Sequence, residues 1–255
     1  MCGLVGQVSF KNKIEKETII GLGDAINHRG PDDRGIYESR EKICFLVHRR
    51  LSIIDLSESA HQPMISEDSR FSIVFNGEIY NYLELRKDLT KTGVKFKSNS
   101  DTEVLLKLYI RHGVKCLDFL RGMFVFAIWD DLKKEFFLAR DPLGIKPVFY
   151  IETTDGIIFS SELQPLKKMN LCGQLNFKSI TTFLRRGSIT SPDTIFENVN
   201  SLEAGTFLIV SKNNKIMKTN YWNLHSLRAD RSQFHDRNEV VSYVCLLYTS
   251  PSPRD

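Results

Sequence analysis

The pattern of apolar and polar positions predicts strands near the start and end of the first 225 residues, with helices between them. Apolar runs typical of strands occupy residues 3–10, 43–55, 71–81, 122–130, 135–141, 146–162 and 206–222, the last two as hairpins that turn at Asp155-Gly156 and Asn213-Asn214. The apolar period of a helix is present in residues 16–27, 82–93, 100–113 and 179–187.

The order of these elements predicts the fold class. Strands, then helices, then strands joined by short turns favour antiparallel pairing and an α+β fold. Several strands are apolar on both faces, so we expect both faces of each sheet to be covered. Two stacked, mainly antiparallel sheets between helical layers (αββα) satisfy that requirement.

Two short motifs predict local structure. Ser100 and Glu103 form the S-x-x-E pattern of a capping box, and Gly113 stands where that helix is expected to end. The stretch "FNGEIYN" follows an apolar run, which predicts a strand that enters a turn at Asn76-Gly77.

Composition and charge exclude several function classes. The 255 residues include 35 basic and 31 acidic side chains, a net charge of +4, without a Lys/Arg run of five that would favour nucleic-acid binding. No apolar stretch approaches the roughly 18 residues of a membrane span, and the start lacks the pattern of a signal peptide. We therefore expect a cytoplasmic protein that binds neither nucleic acid nor membrane.

The cysteines and histidines are too scattered for a disulfide framework or a metal site. The cysteines are Cys2, Cys44, Cys116, Cys172 and Cys245, without a C-x-x-C pair, and the six histidines form no metal-binding motif. Cys44 and His48 share a strand face and suggest a cysteine-hydrolase dyad, but no acidic residue stands beside them to orient the histidine.

Cys2 is the first candidate for chemistry. If Met1 is removed, one residue carries both a thiol, with an ordinary pKa of about 8.5, and a free α-amine, with a pKa of about 7.7–8.0. The amine can then accept the thiol proton, so that a nucleophile and its base belong to the same residue. The alternative is that Cys2 is a small buried apolar residue.

Acyl transfer by Cys2 also needs donors for an oxyanion and groups that bind the substrate. Asn76 and Gly77 offer a side-chain amide and an unobstructed N–H. For an amino-acid substrate, Arg50 is a candidate partner of the carboxylate, and Asp101 with Glu78 of the ammonium. Each has a structural alternative: Asn-Gly is a common turn, and the helix dipole favours an acidic residue such as Asp101 in a first turn.

Eight motifs in register extend this interpretation to a family. "MCGLVG", "HRGPDD", "HRRLSIIDL", "FNGEIYN", "SDTEVLLKLY", "RGMFVFAIWD", "RDPLGIKPVFY" and "FSSEL" occur in this order. Together they make residues 2–225 resemble the N-terminal glutaminase domain of glutamine-hydrolysing asparagine synthetases, a class II glutamine amidotransferase with the N-terminal-nucleophile hydrolase fold.

The resemblance implies roles for the candidate residues. Cys2 would attack the side-chain amide of L-glutamine through a thioester, while Asn76 and Gly77 form the oxyanion hole. Arg50 would bind the substrate carboxylate. The substrate amino group would contact Glu78 and Asp101, and Asn76 and Gly77 would also line the substrate site. "HRGPDD" and "RDPLGIKPVFY" are given no catalytic role and are expected to shape the fold and the face toward a partner domain.

The chain departs from the family after residue 225. The family continues into an ATP-dependent synthetase domain with a Ser-Gly-Gly-x-Asp-Ser loop, which this sequence lacks. Residues 226–244 resemble the linker and first helix of that domain, whereas the prolines of 245–255 predict a non-native or disordered tail. We thus expect a truncated chain without a cofactor of its own. ATP and Mg²⁺ would belong to the missing domain, and the full-length protein could form a homodimer.

Other functions stay open on the sequence alone. A β-lactam synthetase-like relative, or another amide-forming branch, would have a similar amidotransferase half. Amidotransferases of amino-sugar or purine synthesis resemble the chain less, because their Thr-Arg-Trp pattern is replaced here by Arg-Arg-Leu-Ser. Outside catalysis, the domain could bind glutamine or a partner without hydrolysis, or fail to fold stably alone.

Overall fold

The computed structural model describes residues 1–212, 215–224, 237–238 and 240–242. The chain divides into two compact units, Met1–Tyr221 and Trp222–Asp255. In the second unit, residues 237–238 and 240–242 are helical, and they lie in the segment predicted to begin a helix. The predicted tail at 245–255 and the predicted turn at 213–214 lie outside the described residues.

The strands and helices of the first unit follow the predicted order, with strands at 33–38, 64–65 and 200–201 and a helix at 163–167 that the sequence did not predict. The strands are β1 (Gly3–Ser9), β2 (Asp33–Glu38), β3 (Cys44–Arg50), β4 (Met64–Ile65), β5 (Phe71–Ile79), β6 (Gly122–Asp130), β7 (Glu135–Arg140), β8 (Phe149–Thr153), β9 (Gly156–Ser160), β10 (Asn200–Ser201), β11 (Thr206–Ser211) and β12 (Ile216–Asn220). The α-helices are α1 (Lys16–Asp24), α2 (Tyr82–Lys91), α3 (Asp101–His112), α4 (Leu163–Lys167) and α5 (Phe177–Arg186). Single 3₁₀ segments occupy Asn27–Arg29, Glu58–Ala60 and Gly113–Phe119.

The strands form two six-stranded sheets in which every described pair of neighbours is antiparallel. The first sheet has the order β10-β8-β9-β1-β3-β2, and the second has the order β12-β11-β7-β6-β5-β4. In the first sheet β1 is central and pairs with both β3 and β9. In the second, β6 pairs with β5 along nine residues. The predicted α+β class with antiparallel sheets is confirmed.

Three apolar layers hold the sheets and helices together. Between the sheets, Trp129, Phe136 and Phe159 are fully buried. Ile19 of α1 packs with Val5 on the outer face of the first sheet, in a cluster that Phe45 and Val47 also join. The outer face of the second sheet is covered by α3, whose apolar residues pack with β5 and β6. This arrangement is the predicted αββα sandwich, in which the helices keep both outer sheet faces from water.

The turn predicted at Asn76-Gly77 is wrong. Strand β5 continues through both residues to Ile79, and they pair with Val125 and Phe124 of β6. A Cβ at Gly77 would lie 2.3 Å from the Met123 carbonyl oxygen, so glycine is required by the close approach of β6. The strand predicted over 43–55 also ends earlier, at Arg50.

The predicted capping box is half formed. The Ser100 side chain caps α3 by accepting a hydrogen bond from the Glu103 N–H at 3.2 Å. The Glu103 carboxylate does not return to the Ser100 N–H. It accepts instead from the N–H groups of Lys97 and Ser98 at 2.9 and 2.7 Å, because the preceding loop curls over the helix start.

Candidate active site

Cys2 lies directly before β1, against the end of β3. Its half-buried sulfur accepts a hydrogen bond from the Leu51 N–H at 3.4 Å, and its S–H faces the Leu51 carbonyl oxygen at 3.7 Å. The Arg29 Nε donates to the Cys2 carbonyl oxygen at 3.0 Å. The thiol and the backbone of the second residue are therefore both fixed, although chain termini usually fray.

The protonation of this thiol is set by opposing influences. Burial raises the pKa of Cys2 above its ordinary value, while the Leu51 N–H, the charge of the chain's amino terminus and the Arg50 guanidinium act to lower it. The Asp101 carboxylate is near enough to raise the pKa further. A thiol whose pKa is raised needs a base to become a nucleophile at neutral pH.

Arg50 ends β3 and is buried. Its guanidinium donates to the carbonyl oxygens of Ser57, at 3.3 Å, and Asp55. The loop held in this way carries Ile53 and Leu56, whose exposed fractions are 74% and 77%. Arg50 thus joins the thiol region to a loop with exposed apolar side chains.

Asn76 and Gly77 lie on β5 in the facing sheet. Asn76 is only 2% exposed, and its Nδ2 has no hydrogen-bond partner within the part of the chain that the structure describes. A buried donor without an acceptor lowers the stability of the fold by about 1–3 kcal/mol. Such an unpaired donor is expected where a side chain binds a ligand oxygen. The side-chain amide of Asn76 therefore lies on a strand rather than in a turn, and its role as an oxyanion donor stays a prediction.

Asp101 begins α3 and reaches the end of β5. Its Oδ2 accepts from the Ile79 N–H at 3.1 Å. Burial raises the pKa of Asp101 to about 6, the N–H groups of Ile79 and Thr102 oppose that shift, and Glu78 adds to it. Because the same carboxylate acts on the Cys2 thiol, the end of β5 and the amino terminus face one region.

The structure therefore brings the predicted site residues to adjoining strand ends. Cys2 and Arg50 come from the first sheet, Asn76, Gly77 and Glu78 from the second, and Asp101 from α3. The Cys44 and His48 pair forms no accessible dyad, since both side chains are fully buried. The His48 Nε2 is 3.0 Å from the Phe75 carbonyl oxygen, and burial raises the pKa of Cys44 well above its ordinary value.

Two cationic residues that the sequence analysis left without a chemical role also lie beside Cys2. Arg29, of "HRGPDD", holds the Cys2 carbonyl and also donates to Glu162 at 3.1 Å. Lys146, of "RDPLGIKPVFY", is 6% exposed, and its Nζ lies 3.4 Å from the Met1 sulfur. In the sequence, both residues stand in motifs that carry the family resemblance, which could have marked them as functional. Their neighbouring residues in the sequence do not indicate a contact with the first two residues.

The described ranges contain no cluster of three or more His, Cys, Asp or Glu side chains arranged to hold a metal ion. Within the same ranges, every helix is too short or too polar to cross a membrane.

The sequence of the chain matches a family of known proteins. Residues 1–222 match the family described as glutamine amidotransferase domain. The chain is 34% identical over 232 residues to asparagine synthetase [glutamine-hydrolyzing] 3 of Bacillus subtilis, covering 89% of this chain and 37% of that protein. It is 36% identical over 264 residues to asparagine synthetase [glutamine-hydrolyzing] 2 of the same organism, covering 98% and 35%.

Solved structures show the same fold. Glutamine phosphoribosylpyrophosphate amidotransferase from B. subtilis, solved with ADP and GMP, superposes with a TM-score of 0.65 at 18% identity, covering 87% of this chain and 49% of that chain. The chain thus spans between about a third and half of the lengths of the relatives it matches.

Proposed function

This chain belongs to the glutamine amidotransferase domain family, and from that premise we propose that it hydrolyses the side-chain amide of L-glutamine to glutamate and ammonia. Cys2, freed by removal of Met1, is the nucleophile. The α-amine exposed by that removal is its base. Met1 is 57% exposed and is followed by a small residue, so it is accessible to the removal that the proposal requires.

In the proposed reaction the Cys2 thiol takes part in both steps, the formation of a thioester and its hydrolysis. The Cys2 thiol proton passes to the α-amine, and the sulfur forms a bond to the side-chain carbonyl carbon of glutamine. The C–N bond then breaks, and the ammonium gives its proton to the leaving nitrogen, which departs as ammonia. Water attacks the thioester, the C–S bond breaks, and glutamate leaves as the thiol is restored.

The remaining site residues stabilise and orient the substrate. The Asn76 side chain and the Gly77 N–H donate to the carbonyl oxygen as it becomes negative. Arg50 binds the α-carboxylate, and Asp101 with Glu78 binds the α-ammonium. The observation that carries the proposal is the buried Asn76 Nδ2, which has no acceptor among the described residues and lies on β5, the strand whose end Asp101 contacts.

The fate of the ammonia is part of the proposal. Relatives of about two to three times this length bear the name asparagine synthetase. We infer that residues 2–225 are the amidotransferase domain, that residues 226–244 begin a synthetase domain, that 245–255 are foreign to both, and that ammonia passes to an ATP-dependent amidation of aspartate there. Free cysteines at positions 2, 44, 116 and 172 suit a reducing compartment such as the cytoplasm.

Product analysis tests the hydrolysis. Purified protein of verified mass, with Met1 removed, is incubated with glutamine in the absence of ATP. Glutamate and ammonia are expected in equal amounts. Cys2→Ala should abolish the formation of both products. The matched variant Cys172→Ser alters a buried cysteine in an apolar cluster that does not include Cys2, and it should still form both products. Glutamine binding without hydrolysis by the wild-type chain would instead identify a non-catalytic binding module.

A further inference from the structure

Lys146 is a buried lysine on a rigid turn between β7 and β8. Its backbone N–H donates to the Asp141 Oδ2 at 3.0 Å, and its carbonyl oxygen accepts from the Arg140 Nε at 2.7 Å. The side chain is 6% exposed. Lysine is rarely buried to this extent, because removing an ammonium from water is costly. The burial of this ammonium therefore needs an explanation other than the packing of the fold.

The Lys146 ammonium contacts the side chain of the first residue. The Nζ contacts the Met1 sulfur at 3.4 Å, and a thioether is only a weak acceptor. Burial and the Arg29 guanidinium lower the pKa of Lys146, while the Cys2 thiol, Glu78 of β5 and Asp141 favour its charged form. These groups face Lys146 from the elements around it.

Around the thiol itself, positive and negative charges act on the pKa of Cys2 in opposite directions. The chain's amino terminus and Arg50 of β3 lower the pKa of Cys2, and Asp101 of α3 raises it. Arg29 is tied to the Cys2 carbonyl oxygen and to Glu162, so part of its charge is already paired. Lys146 is thus, with Arg50, a buried cation near enough to interact with the second residue.

We propose that the ammonium of Lys146 keeps the α-amine of Cys2 neutral and favours the thiolate, which makes Lys146 a positioning residue for the nucleophile. A nearby positive charge disfavours protonation of an amine and favours ionisation of a thiol, by about one pH unit or more for close groups. The first effect keeps the amine in the neutral form that can accept a proton, although it makes the amine a weaker base, and the second effect favours release of the thiol proton. This role rests on the proposed glutamine hydrolysis and on the removal of Met1 that it requires.

Three variants separate charge from shape. Lys146→Met retains the length of the side chain without its charge, and Lys146→Arg retains the charge. Lys91→Met removes an exposed lysine from α2 as a matched control. If Lys146→Met does not fold, as judged by circular dichroism, Lys146→Gln replaces it.

The first readout is independent of glutamine. The rate of alkylation of Cys2 by iodoacetamide is measured against pH, with peptide mapping to separate Cys2 from the other cysteines. The midpoint should rise by about one pH unit in Lys146→Met. It should stay near the wild-type value in Lys146→Arg and Lys91→Met. This result holds or fails whether or not the chain hydrolyses glutamine.

The second readout is the pH dependence of glutamine hydrolysis. Lys146→Met should lower kcat at pH 7 with little change in KM, and the acidic limb of kcat/KM should move upward by the same amount as the alkylation midpoint. An unchanged midpoint in Lys146→Met, or equal shifts in Lys146→Met and Lys146→Arg, would overturn the proposal. Absence of hydrolysis in the wild-type chain with a shifted alkylation midpoint would refute the proposed function and retain the role of the charge.

Discussion

Asn76 and Arg50 differ in what their side chains already bind. The Asn76 Nδ2 is a buried donor without a partner among the described residues, whereas the Arg50 guanidinium is engaged with two carbonyl oxygens of the adjacent loop. The hydrogen bond from an unpaired donor becomes strongest when negative charge develops on a ligand oxygen, which happens in the transition state. A guanidinium held in place by a loop can bind the substrate carboxylate before the reaction begins. The two residues should therefore affect different kinetic constants.

We predict that Asn76→Ala lowers kcat for glutamine hydrolysis by about 10²–10³-fold with a small change in KM. Arg50→Ala should act mainly by raising KM, because the carboxylate contact is made in both ground and transition states. Steady-state kinetics distinguishes the two effects. Ser72→Ala, on the same strand but paired with Trp129 toward its other end, is the control and should change neither constant. The reverse pattern would contradict the assigned roles.

At this scale the sequence predicts residue types better than residue contacts. Cys2, Arg50 and Asp101 could be proposed as site residues from the sequence because each residue type suits a step of amide hydrolysis. Arg29 and Lys146 could not be proposed in this way, since their contacts with the first two residues span 27 and 145 residues of sequence. Such contacts depend on how β1 inserts between β3 and β9, which no local pattern encodes.

At the scale of elements, one hydrogen bond joins the two sheets next to the site. The His48 Nε2 on β3 lies 3.0 Å from the Phe75 carbonyl oxygen on β5, directly before Asn76. Burial lowers the pKa of His48 to about 4, so the folded chain holds a neutral imidazole. The Nε2 must then carry the proton that Phe75 accepts.

We predict that this histidine makes stability fall as pH falls. The unfolded chain binds a proton on His48 near its ordinary pKa of 6.5, and the folded chain does so only near pH 4, so its contribution is lost progressively between those values. His48→Gln retains a donor for Phe75 but does not titrate. Between pH 7 and pH 5, the wild type should lose about 2 kcal/mol more unfolding free energy than the variant.

Urea titrations at both pH values measure this difference. Asp101 titrates in an overlapping range with the opposite sign, because its raised pKa of about 6 favours the folded state at lower pH. Comparing wild type with His48→Gln removes that contribution, since both chains retain Asp101. Equal losses in the two chains would show that His48 is not held neutral.

Strands β2, β4 and β10 and helix α4 were not predicted from the sequence, and for the two shortest strands the physical reason is clear. Strands β4 and β10 have two residues each, too few for a period, and they exist because a longer neighbour pairs with them. The Asn76-Gly77 dipeptide favours a turn locally, but β6 pairing continues through it. Long apolar elements such as β6 and α3 were predictable because their own residues determine which face is buried.

At the scale of the whole molecule, the first compact unit ends at Tyr221. Tyr221 follows β12, and its hydroxyl donates to the Arg140 carbonyl oxygen at 2.8 Å while its N–H donates to Gly205 at the same distance. Its ring stacks on Phe207, with the centroids 6.4 Å apart. The layered core is complete within this unit, which argues that it folds without the residues that follow.

We predict that a chain ending at residue 224 keeps the melting temperature and the glutamine hydrolysis of the full chain. A chain ending at Asn220 loses the half-buried Tyr221 ring and both of its hydrogen bonds, so it should be less stable by about 2 kcal/mol, or about 4–8 °C in melting temperature. Calorimetry and product analysis measure both properties. Tyr221→Phe in the 224-residue chain is the matched control, because it removes only the hydroxyl contact and should cost about 1 kcal/mol. If the 224-residue chain aggregates or unfolds while the full chain does not, residues beyond 224 are required for folding, and the glutaminase unit cannot be assigned to the first compact unit alone.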